Sequence, residues 1–96
     1  MKGSEKQLYW ARNILYFARQ HCLKEIRYYA ELANKRKFFD IYVFYYKKSL
    51  KWLEGITETE EKAGNIINAR KAFTPEAIDA MVNDAVKKRM EELRNG

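Results

Sequence analysis

The chain has 96 residues, a net charge of +6 and one cysteine, Cys22. A chain of this length buries roughly 60 to 68% of its unfolded surface, enough for one core without staples, so a single domain over residues 1–96 is expected. A lone cysteine excludes an intramolecular disulfide and a multi-thiolate zinc site, which suits a reducing cytosol and leaves Cys22 as a small buried hydrophobe.

From the N-terminus, "MKGSEKQ" leads into an amphipathic segment and not a continuous apolar one, so neither a signal peptide nor a membrane span is expected. Ser4 followed by Gln7 is a capping-box pattern, and no Gly or Pro occurs from Glu5 to Glu54. Advancing about 100° per residue gathers Leu8, Ala11, Ile14, Leu15, Ala18, Cys22, Ile26, Tyr29 and Ala33 on one face, which predicts a helix over 5–33. The cluster "NKRK", residues 34–37, predicts the break.

The next stretch, "FFDIYVFYY", has the aromatic and branched residues of a strand. Its pattern runs on to Leu53 without a turn signal, too long for a typical strand, and its polar residues segregate at helical spacing. A helix ending at Gly55 is predicted, with a wide apolar arc that includes Phe38, Tyr42, Tyr46, Trp52 and Leu53 mostly in the core. Phe44 alone falls on the polar side and marks an aromatic patch through which the chain would dock or form a homodimer. Thr57 and Glu60 form a second capping-box pattern opening a third helix to about Arg70. Thr74 and Pro75 open a fourth, whose stripe is Ile78, Met81, Val82, Ala85, Val86 and Leu93. The predicted class is all-α, a small bundle of three to four helices.

Two stretches, "GSEKQLYWARNI" (Gly3–Ile14) and "AGNIINAR" (Ala63–Arg70), together resemble a family of small uncharacterised proteins of bacteriophages and other bacterial mobile elements. Its members begin with a pattern like GSEKQ-x-x-WA-x-x-I, matched here by Gly3, Ser4, Glu5, Lys6, Gln7, Trp10, Ala11 and Ile14. The resemblance implies no activity. It implies a context: an accessory protein acting in the cytoplasm of a bacterial host cell.

Catalytic chemistry finds little support in the residues. With His21 as the only histidine, Ser4 and Ser49 as the only serines and no Gly-rich phosphate loop, no nucleophile with a base and an orienting acid can be assembled. A non-enzyme without cofactor is expected. His21 and Glu25 share a helix face, but two ligands without a third are not a metal site, and a hydrogen-bonded histidine near Trp10 and Tyr28 is expected instead.

Binding chemistry is better represented. Residues 1–54 hold 12 Lys or Arg against 5 Asp or Glu, a net +7, while residues 55–96 hold 7 against 8, a net −1. The first half also holds 13 of the 14 aromatic residues, which points to an acidic protein surface or a nucleic acid as partner, against the plainer alternative of a solvated surface around an aromatic core. On the first helix Tyr9, Arg12, Tyr16, Arg19, Leu23 and Arg27 form one stripe. Arg and Tyr together suit protein hot spots, phosphate contacts and base stacking. Lys47, Lys48 and Lys51 belong to a second basic group. The leading reading is an accessory protein that binds and inhibits a host protein or nucleoprotein, such as a CRISPR-type defence nuclease. The alternative is direct DNA or RNA binding.

Overall fold

Thirty-one consecutive helical residues at 1.5 Å each make a rod about 46 Å long, and that rod sets the long dimension of the molecule, 48 × 27 × 20 Å. The computed structural model describes residues 1–95. These residues form four α-helices: α1 (Glu5–Lys35), α2 (Asp40–Thr59), α3 (Ala63–Asn68) and α4 (Pro75–Asn95). Short 3₁₀ turns at Lys37–Phe39 and Arg70–Phe73 join α1 to α2 and α3 to α4. The protein is all-α, with no strand among the described residues.

The start of α1 follows the capping box closely. Gln7 N–H donates to Ser4 Oγ at 3.2 Å while Ser4 N–H donates to Gln7 Oε1 at 3.1 Å, so two of the otherwise unpaired donors of the first turn are satisfied. The predicted face is buried at Ala11, Leu15, Ala18 and Cys22, with Leu8, Ile26 and Tyr29 packed at its margins. Within the predicted break only Arg36 leaves the helical conformation, with φ −139° and ψ 110°, which suffices to fold α2 back along α1 as a helical hairpin.

Three expectations for the middle of the chain are corrected. Gly55 does not end α2, which continues to Thr59. No described residue has positive φ, so nothing there requires a glycine, and the roughly 1 kcal/mol propensity cost of an internal Gly is outweighed by packing on either side, at Leu53 and Ile56. Thr57 is not an N-cap: its hydroxyl donates back to the Leu53 carbonyl at 2.9 Å inside the helix. The third helix accordingly shrinks to six residues, and Glu60 Oε1 serves its start, accepting from Lys62 N–H at 3.1 Å and Asn65 Nδ2 at 3.0 Å. These two hydrogen bonds, the backbone one first, hold the Glu60 carboxyl below its ordinary pKa.

The wide arc of α2 is also less buried than predicted. Tyr46, Ser49 and Leu53 are buried and Tyr42 half-buried, but Phe38 and Trp52 are exposed, because α1 and α4 together cover only part of the circumference. Aromatic stacking accounts for much of what lies between. The Tyr29 ring on α1 stacks on Tyr42 at 4.5 Å, Tyr46 at 5.7 Å and Phe39 at 6.1 Å, and Trp52 stacks on Phe73 at 5.5 Å. On α4, Thr74 caps through Ala77 N–H at 3.1 Å, and Ile78, Val82 and Val86 are buried. Met81 and Leu93, predicted in the same stripe, are exposed, and Met90 packs on the core in their place.

The stretches Gly3–Ile14 and Ala63–Arg70 meet in space. Lys2 and Lys62 form a parallel bridge, with Ala63 N–H donating to the Lys2 carbonyl at 2.8 Å. A Cβ on Gly3 would stand 3.0 Å from the Ala63 Cβ, so this close approach favours glycine. Arg70 lies over the Trp10 ring at 5.5 Å. Gly3 lies against the start of α3, Ser4 and Gln7 cap α1, Trp10 meets Arg70 of the following 3₁₀ turn, and Ala11 is buried in the core.

Candidate partner-binding face

The outward side of α1 is unusually aromatic for a surface. Tyr9 is 72% and Phe17 66% exposed, and Trp10 and Tyr16 are each about half exposed. Tyr16 and Phe17 meet edge to face at 5.4 Å. Spacing explains the arrangement: residues seven apart return to nearly the same angle, so Tyr9 with Tyr16 and Trp10 with Phe17 form two adjacent rows.

The structure divides the predicted site residues among several places. Arg12, Tyr16 and Arg19 line one cleft of about 530 Å³ between α1 and the end of α2, together with Met1, Asn13, Leu15 and Thr57. Tyr9 and Arg27 extend the same helix side, one turn before Arg12 and two turns after Arg19, outside the cleft lining. Lys48 lies elsewhere, in an apolar groove of about 280 Å³ between α2 and α4 that is walled by Tyr45, Trp52, Met81 and Val82. Its ammonium sits over the rings of Phe44 at 5.4 Å and Tyr45 at 5.9 Å. Lys47 borders a third depression with Lys35, Lys37 and Asp40, at the hairpin end. Lys51 is exposed and lines none of these three.

The arginines of the cleft are not ion-paired among the described residues. Among the described residues the ion pairs are His21 with Asp79 and Arg89 with Glu92, so Arg12, Arg19 and Arg27 have no carboxylate within 4 Å. Arg19 is half-buried, and its Nε is shielded from solvent without a hydrogen-bond partner among the described residues. A buried donor left in that condition is costly unless a ligand completes it.

One polar cluster escaped the sequence reading. Asp79 Oδ1 on α4 accepts from Tyr46 Oη on α2 at 2.6 Å and from His21 Nε2 on α1 at 2.7 Å. His21 therefore pairs with Asp79 and packs beside Tyr46, and not with Trp10 and Tyr28 as predicted: Trp10 is engaged by Arg70 and Tyr28 by Tyr29. The contact spans 58 residues of sequence, which local spacing cannot reveal. Burial and then the Asp79 hydrogen bond push the Tyr46 hydroxyl well above its ordinary pKa, and burial chiefly pushes the neighbouring Cys22 thiol up to about 11. Both stay protonated at neutral pH, so the cluster joins three helices and holds no activated nucleophile. Among the described residues no three His, Cys, Asp or Glu side chains gather as metal ligands, and no helix is long and apolar enough to cross a membrane.

Met1, Asn13 and Thr57 are cleft residues that sequence reasoning missed. Asn13, four residues after Tyr9 and three before Tyr16, was within reach of the stripe spacing; Thr57 was not, because it arrives from another helix. Fold and surface together define a small four-helix protein with an arginine- and tyrosine-lined cleft. No family model matches the chain, and neither a curated protein nor a solved structure does.

Proposed function

We propose that this chain is a non-enzymatic accessory protein of a phage or mobile element that docks on a host protein or nucleoprotein and blocks it, with a CRISPR-type defence nuclease as a natural target. The observation that supports docking is the gathering of Arg12, Tyr16 and Arg19 in one cleft beside exposed Tyr9 and Phe17. Arginine and tyrosine supply large contact area and directional hydrogen bonds, the composition of interface hot spots. The mobile-element context rests on the resemblance carried by Gly3–Ile14.

The test is capture from bacterial lysate with and without nuclease treatment, using the intact chain and variants. A stable complex with one host protein is expected, weakened by about 2 kcal/mol or more at one or two of Tyr9→Ala, Arg12→Ala, Tyr16→Ala and Arg19→Ala and little changed at the rest. The second reading, direct nucleic-acid binding, draws on the same unpaired arginines. It requires steeply salt-dependent binding to naked DNA or RNA, with each phosphate-contacting arginine contributing about one unit of slope. Selective nanomolar binding to naked nucleic acid at physiological salt would reverse the ranking.

A homodimer is a subsidiary proposal, drawn from Phe44, which is 55% exposed beside the α2–α4 groove. Sedimentation equilibrium is expected to show self-association that Phe44→Asp abolishes. A monomer, with Phe44→Asp silent in both stability and binding, would remove this proposal.

A further inference from the structure

The cleft between α1 and α2 has a chemistry more specific than a general docking face. Arg12 and Arg19 are seven residues apart, so their Cα positions lie about 10 Å apart along the helix, and both line the cleft. Tyr16 and Asn13, both able to donate to an oxygen acceptor, line it with them, while the Thr57 hydroxyl on the opposite wall already donates to the Leu53 carbonyl. Among the described residues no carboxylate lines the cleft itself, although Glu54 shares the adjoining depression that Arg19 also lines, and Arg19 Nε, shielded from solvent, has no hydrogen-bond partner. An oxyanion is the ligand that such a donor set fits.

Two kinds of macromolecule offer oxyanions, and the surrounding charge discriminates between them. The end of α2 that provides Thr57 also carries Glu54 and Glu58, followed by Glu60 and Glu61. The basic lining therefore does not continue across that wall as the basic track that a nucleic-acid backbone follows. Resting on the docking reading above, we infer that the cleft receives an acidic segment of a protein partner, with one carboxylate on Arg12 and a second on Arg19. Carboxylates on one side of an extended segment stand two residues, about 7 Å, apart, a spacing that flexible glutamate and arginine side chains can bridge.

The experiment follows the Arg12 and Arg19 Nε–Hε signals by NMR while the full chain is titrated with an end-blocked tetraglutamate peptide, a tetraglutamine peptide or a short oligothymidylate. Tetraglutamate is expected to move both signals and tetraglutamine neither. Arg12→Gln and Arg19→Lys are each expected to weaken tetraglutamate binding by roughly fivefold or more, since lysine keeps the charge but lacks the planar donor fork. Backbone amide spectra check that each variant is folded, and Arg12→Gln, at an exposed position, decides the matter if Arg19→Lys is not. Arginine signals that stay still, or binding unchanged in the folded variants, overturn the inference. Oligothymidylate that moves the same signals at lower concentration also overturns it, in favour of nucleic acid. Failure here is separable from failure of the docking reading: a host complex weakened by Tyr9→Ala or Tyr16→Ala, with the arginine variants and the peptide silent, sinks the carboxylate site alone. A peptide that titrates the cleft while no host complex forms sinks the docking reading alone.

Discussion

Replacing Leu53 by Ala is expected to lower the free energy of unfolding by about 3 kcal/mol, the largest single effect among the substitutions considered. Leu53 has no exposed surface and lies on the buried side of α2, in one core cluster with Tyr46, Ile66 and Ile78. Truncation removes apolar contacts and leaves a cavity that a close-packed interior closes only in part, which places fully buried leucines at about 2 to 5 kcal/mol. For a domain of this size the melting temperature should fall by roughly 15 °C. Lys51→Ala, two residues away on the exposed side, should change stability by less than about 0.5 kcal/mol. Denaturant or thermal unfolding of the pair checks both, and equal effects would contradict the assignment of the buried face.

The second large effect is expected at Asp79. Its side chain is 40% exposed, yet its Oδ1 accepts from two side chains far better buried, Tyr46 and His21. In Asp79→Ala both donors lose their acceptor, and a buried hydroxyl left unpaired costs about 1 to 3 kcal/mol, so a total near 2 kcal/mol is expected, with solvent access at Asp79 keeping it from rising further. Tyr46→Phe, which removes donor and demand together, should cost clearly less. The same corner sets an alkaline limit. Tyr46 and Cys22 both have folded-state pKa values above their ordinary ones, so the stability they contribute is complete below about pH 9 and is lost as pH rises through about 11, where the Cys22 thiol ionises. Urea denaturation between pH 7 and 11 measures this, and stability that rises over the range would refute the assignment.

Several features were legible in the sequence because their causes are local. The Ser4–Gln7 capping box, the buried face Ala11, Leu15, Ala18 and Cys22, and the Thr74–Pro75 start of α4 depend on neighbours within one or two helical turns, so spacing alone specifies them. The stripe of Tyr9, Arg12, Tyr16 and Arg19 was legible for the same reason. Tertiary structure decided the rest. Gly55 and Thr57 carry stop and start signals worth only about 1 kcal/mol each, and packing of Leu53 and Ile56 on both sides of Gly55 overrides them, so α2 runs to Thr59. Phe38 and Trp52 share an apolar arc with Tyr46 and Leu53, but how far neighbouring helices reach around α2 depends on where they cross it, which the arc itself does not contain. The Asp79 cluster and the Thr57 wall of the arginine cleft join residues 33 to 58 positions apart, or on separate helices, and exist only once the chain has closed its hairpin and laid α4 across it.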